Sequence, residues 1–154
     1  MTIGINLRRA NTSDIPSLVT FNRAMAAETE GKNLAEAVLR PGVAGLFDHP
    51  EYGFYLIAET DDDDPRAVAS LMITYEWSDW RNGLFWWIQS VYVTPAWRRR
   101  GVYRRMYEYV QQLASAENVC GFRLYVEKEN VAAQRTYAEL GMAETHYLMF
   151  EREK

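Results

Sequence analysis

The chain has 154 residues, 48% hydrophobic and 25% charged, which fits a single globular domain over residues 1–154 with a core that needs no staples. A net charge of -4 at pH 7 argues against general nucleic-acid binding, which needs a basic surface, and the lone Cys120 excludes an internal disulfide. No Cys/His cluster has zinc-ligand spacing, residues 1–9 lack the apolar run of a signal peptide, and no stretch is long and apolar enough for a membrane. The expectation is therefore a cytoplasmic protein with no metal and no membrane partner.

Ile3, Ile5 and Leu7 alternate with polar or small residues, the period of a half-buried strand. Asn11, Thr12, Ser13 and Asp14 supply N-caps, Pro16 suits a first helical turn, and Ile15, Leu18, Val19 and Met25 follow at helical spacing. A polar segment at 28–33, hinged by Gly31, separates this helix from a second at 34–47. Residues 54–59 and 67–77 read as strands, divided by the acidic turn Asp61 to Asp64 and Pro65. Asn82-Gly83 closes a hairpin into a third strand at 84–93, apolar enough to be central. Val102, Met106, Tyr109, Val110 and Leu113 mark one face of a helix within 99–117. A strand at 122–127, a helix from Asn130 to Leu140 stopped by Gly141, and a last strand at 145–151 complete the order βααβββαβαβ. This is an α/β (α+β) fold with a mixed, mostly antiparallel sheet flanked by helices.

The chemistry concentrates where the central strand meets the long helix, at Val91-Tyr92-Val93-Thr94-Pro95-Ala96-Trp97-Arg98-Arg99-Arg100-Gly101-Val102-Tyr103. A helix start offers free N–H groups and partial positive charge, and Gly101 removes the Cβ that would hold a phosphate off. The three arginines read either as a solvated surface run or as forked phosphate donors. Their place at a strand-to-helix junction favours the second reading. No Walker loop or dinucleotide fingerprint is present.

These residues resemble the GNAT family of N-acetyltransferases. The family signature, Arg/Gln-x-x-Gly-x-Gly/Ala after a strand ending in Val-x-Pro, is matched by Arg98 to Tyr103 except that Tyr103 replaces a small residue. A second block is similar to the family too: Leu124 to Glu127, then Asn130, Ala133, Tyr137, Leu140, Gly141 and Met142. The resemblance implies acetyl-CoA as cosubstrate. Val91, Tyr92 and Val93 would line its pantetheine arm, and the amides from Arg99 to Arg104, Val102 among them, would hold the pyrophosphate. Arg98 or a neighbouring arginine would touch phosphate, and Asn130 would complete the site.

It also implies direct attack by a neutral amine through a tetrahedral intermediate, with Tyr137 protonating the thiolate; without the family, Tyr137 reads as core. The run from Thr74 to Val93 is similar to the polyamine (spermidine/spermine) branch, whose base is a strand glutamate. Gln89 stands at that position, and an amide is no base. Glu76 and Glu28 are the replacements, or a water path. Trp77, Asp79 and Trp80, with Trp86 and Trp87 nearby, would suit a small cationic amine or would pack a core or a homodimer interface. Cys120 reads as a buried small hydrophobe. Two alternatives remain: an enzyme acting on a protein N-terminus or lysine, and a non-catalytic module that senses acetyl-CoA.

Overall fold

A computed structural model describes residues 4–154, so Ile3 and the first residues of the N-terminal stretch lie outside it. The chain forms two compact units, one running to Leu124 and one from Tyr125 to Lys154. Among the described residues, five strands make one sheet in the order β1-β2-β3-β4-β5. They are β1 (Ile5–Arg9), β2 (Gly53–Thr60), β3 (Ala67–Ser78), β4 (Gly83–Val93) and β5 (Val119–Arg123). All neighbours are antiparallel except β4 and β5. The helices are α1 (Ile15–Glu30), α2 (Glu36–Asp48), α3 (Val102–Ala114) and α4 (Val131–Glu139), so the mixed α/β order expected from the sequence is present through α4. Among the described residues, no helix is long and apolar enough to cross a membrane.

Local chemistry sets the boundaries. The Asn11 side chain accepts from Ser13 N–H and Asp14 accepts from Asn11 N–H, a reciprocal cap on the 3-10 turn Thr12–Asp14 that runs directly into α1, with Pro16 in its first turn. Gly31 ends α1 in the left-handed conformation at φ 62°. Asp61 to Asp64 are all exposed, and Asp62 accepts from Asp64 N–H, as expected of a solvated turn.

Two cores sandwich the sheet of the first unit. On one face Leu18, Val19 and Val43 of the first two helices pack with Tyr55 and Ile57. On the other, Met106 and Val110 of α3 are fully buried, alongside an aromatic set in which Trp86 meets Phe54 and Phe122 edge-on at 5.4 and 6.5 Å. The aromatic surplus therefore divides: Trp86 is core, whereas Trp77 and Trp80 are exposed.

Three expectations need correction. β5 starts at Val119 and ends at Arg123, earlier than 122–127, because its parallel ladder is set by Leu84 to Trp87 of β4. Cys120 is exposed rather than buried: in the first unit β5 is an edge strand, and this side chain faces outward. Residues 145–151, expected as a closing strand, form no ladder within the second unit.

Candidate functional site

The central strand β4 is bent. Tyr92 pairs with Ser70 and Gln89 with Met72, so Ser90 and Val91 together oppose the single residue Leu71. Ser90 takes up the extra residue with φ 51°, a left-handed conformation that a non-glycine residue adopts only under constraint. Such bulges re-aim a strand, and here one coincides with the end of a ladder. The pairing of β4 with β5 stops at Trp87 and Arg123, while β4 continues to Val93.

The orientation of the freed edge follows from the ladder on its other side. Thr94 N–H donates to Val68 C=O at 2.9 Å. Antiparallel alternation then turns the N–H and C=O of Val93 away from β3. An extended, amide-bearing ligand arm laid along this edge would add to the sheet as a strand does.

Beyond Val93 the chain turns through Pro95–Trp97, passes Arg99 at φ 59° and Gly101 at φ 77°, and enters α3. The helical ladder begins with Arg105 N–H on Gly101 C=O at 3.1 Å. The amides of Val102, Tyr103 and Arg104 stand ahead of it and make an anion-binding helix start. A Cβ on Gly101 would meet nothing within 4 Å. Glycine is needed here for its positive φ, and the space before it is open. Tyr103 packs its ring toward Tyr107, centroids 6.5 Å apart.

The three arginines have separate fates. Arg100 lies over the Trp97 ring at 4.2 Å. Arg99 is exposed, with no ion pair among the described residues, and the same holds for Arg104. Arg98 turns back: its Nε donates to Val93 C=O at 2.8 Å and its Nη2 to Glu28 Oε2 at 2.6 Å. Tyr92 Oη donates to the other Glu28 oxygen at 3.1 Å, and its ring stacks on Phe21 at 5.5 Å. Arg98, reinforced by Tyr92, holds the Glu28 carboxyl below the usual glutamate range. Burial, then Glu28, pushes the Tyr92 phenol up.

A second polar group lies on neighbouring positions of β3, β4 and β5. Glu76 Oε1 accepts from Trp87 Nε1 at 3.1 Å and from Arg123 Nη1 at 2.7 Å. Arg123 in turn lies 3.6 Å above the Phe85 ring. Gln89 donates through Nε2 to Thr74 Oγ1. Glu76, Trp87, Gln89, Thr74 and Arg123 therefore share one region, of which sequence reasoning missed Thr74 and Arg123. Trp77 follows Glu76 on β3 and points to the opposite face. Trp80 is 88% exposed in the hairpin, and Asp79 is engaged by the Trp80 N–H at 2.9 Å.

In the second unit Asn130 accepts from Ala133 N–H at 3.1 Å, capping α4. Met142 N–H closes the helix on Tyr137 C=O. Burial pushes the Tyr137 phenol up, so it stays protonated at neutral pH.

A bent central strand with a free edge, followed by a helix start, invites comparison with known proteins. The family model described as the acetyltransferase (GNAT) family matches residues 20–142. The structure of a possible acetyltransferase from Clostridium difficile 630 is similar, with 44% identity, 97% of each chain covered and a TM-score of 0.89. That of a predicted acetyltransferase with acetyl-CoA from Clostridium acetobutylicum shares 20% identity over 96% of each chain, TM-score 0.77. AAC(6')-Iy in complex with the bisubstrate analog CoA-S-monomethyl-acetylneamine shares 18% identity over 97% of this chain and 98% of its own, TM-score 0.72. The last two show a shared fold. No curated protein matches the chain at a significant level. With four-fifths of its length matched by the family model and a close structural relative beside it, this chain belongs to the GNAT acetyltransferase family.

Proposed function

We propose that the chain, acting as one domain, transfers the acetyl group of acetyl-CoA to the primary amine of a small cationic molecule. The observation that carries the cofactor half is the edge of β4 beyond Trp87, bent at Ser90 and leading into the α3 start. Val91 and Val93 receive the pantetheine arm there, with Val93 N–H as the outward donor. The amides of Val102, Tyr103 and Arg104 receive the pyrophosphate, and Arg99 and Arg104 supply the free positive charge.

The acceptor amine must lose a proton, since an alkyl ammonium has a reference pKa of about 10.4. Glu28 is a poor base, because Arg98 and Tyr92 occupy both its oxygens and hold it in its ionised, weakly basic form, whereas Glu76 is bonded through one oxygen only. Glu76 is the base we assign, reached through water, next to the Gln89 amide that replaces the glutamate of the polyamine branch. Tyr137 is assigned the proton for the leaving thiolate. The exposed Trp80 and the carboxylate of Asp79 support a cationic acceptor, whereas Trp77, on the sheet face opposite Glu76, is left out of it. A cytoplasmic homodimer is part of the same reading.

Gln89 favours one competing reading, a module that binds acetyl-CoA without turnover. A thiol-release assay separates the two. With acetyl-CoA and a panel holding spermidine, a lysine peptide and a neutral alkylamine, release that depends on spermidine supports the proposal. Release with the peptide alone moves the acceptor class to proteins, and release with none supports the binding module.

A further inference from the structure

Arg98 opens the motif that the family resemblance assigns to phosphate, yet its guanidinium is committed elsewhere. Two of its three nitrogens are used: Nε on Val93 C=O at 2.8 Å and Nη2 on Glu28 at 2.6 Å. Its carbon CZ also lies 5.4 Å from the Tyr92 ring centroid, and Tyr92 itself donates to Glu28. Three partners from two distant segments thus converge: Glu28 near the end of α1, and Tyr92 and Val93 at the end of β4. Glu28 is three residues ahead of Gly31, whose φ of 62° ends the helix and starts the 31–35 connection to α2.

We propose that Arg98 is a positioning residue, a clasp that fixes the end of α1 and the 31–35 connection to the end of β4, and is not a ligand of the cofactor phosphates. The Val93 contact supports this directly. It fills the outward carbonyl at the end of the β4 edge, leaving the Val93 N–H as the group offered to an arm. A guanidinium moving to a phosphate would give up both charge-assisted bonds and leave Glu28 with the Tyr92 hydroxyl alone. Arg99 and Arg104, uncommitted, meet the phosphate need without that loss. The inference rests on the acetyl-CoA reading for its second clause and on geometry alone for its first.

The test has two arms. In the free protein, amide exchange over residues 26–35 is measured for wild type, Arg98→Gln, Glu28→Gln and the double variant. Loss of the clasp is expected to speed exchange about fivefold in each single variant, with no further gain in the double, and Arg98→Lys is expected to recover part of it. Unchanged exchange in Arg98→Gln overturns the clasp, as does full additivity.

The second arm compares acetyl-CoA with acetyl-pantetheine, which lacks the pyrophosphate, by calorimetry. The Arg98→Gln variant is expected to shift both affinities by the same factor, within about threefold. A loss of tenfold or more for acetyl-CoA alone makes Arg98 a phosphate ligand and overturns the proposal. If wild type binds neither, the acetyl-CoA reading fails, and the exchange arm still decides the clasp.

Discussion

Glu76 of β3 and Arg123 of β5 form an ion pair of 2.7 Å across β4, and the Trp87 indole N–H of that strand donates to the same carboxylate oxygen at 3.1 Å. A carboxylate so placed is oriented by two donors on Oε1, and its other oxygen is available to a water. Glu76→Gln keeps the shape and removes the basicity. It should lower kcat by about 10²-fold or more, while acetyl-CoA binding stays within about twofold. Steady-state kinetics across pH, with calorimetry alongside, checks this.

Gly101 and Ser90 both hold left-handed backbone, for different reasons. At Gly101 the surrounding space is open, so Gly101→Ala adds only the conformational cost, about 1–2 kcal/mol. Tilting the amides of Val102 to Arg104 should also weaken acetyl-CoA. Gly101→Asn should recover part of the loss, because asparagine tolerates this region. Thermal denaturation and calorimetry of the two variants measure both effects.

Ser90 sits within the bulge at φ 51°. A β-branched residue there is worse than serine, so Ser90→Val should destabilise by about 1–3 kcal/mol and weaken acetyl-CoA, whereas Ser90→Gly should not destabilise. Denaturant unfolding of the pair is the check.

Asp14 couples the N-terminal strand to α1. Burial alone would raise its carboxyl, but the forked bonds from Arg8 at 2.7 and 2.9 Å and the Asn11 N–H outweigh it and hold the group below its ordinary 3.8. A lowered folded value means that this stabilisation is present above the unfolded value and lost as pH falls through the folded one. Asp14→Asn should therefore cost about 1–3 kcal/mol at pH 7 and progressively less as pH falls below the ordinary 3.8, flattening the acid limb of the stability curve. Urea midpoints across pH measure the difference.

The elements of this fold are legible because their signals are local. The alternation of Ile5 and Leu7 in β1, the Asn82-Gly83 turn and the apolar face of α3 each follow from neighbouring residues. The site is less so, because its geometry is long-range. Glu28 and Arg98 are seventy positions apart, and nothing near either residue announces the other. Glu76 and Arg123 meet only because β5 pairs in parallel with β4. Ser90 carries no glycine to mark its left-handed backbone, so the bend that frees the β4 edge leaves no trace in composition. Arg98 shows the limit of a motif: its position in the pattern points to phosphate, and its side chain is bonded elsewhere.

The most direct test of the account is a calorimetric titration of the purified protein with acetyl-CoA, with CoA and ATP as controls, followed by thiol release on adding spermidine. The account predicts saturable binding of acetyl-CoA, much weaker binding of ATP, and thiol release that requires the amine. Absence of binding by acetyl-CoA and by CoA would contradict it, leaving the β4 edge and the α3 start as inherited scaffold without the cofactor site.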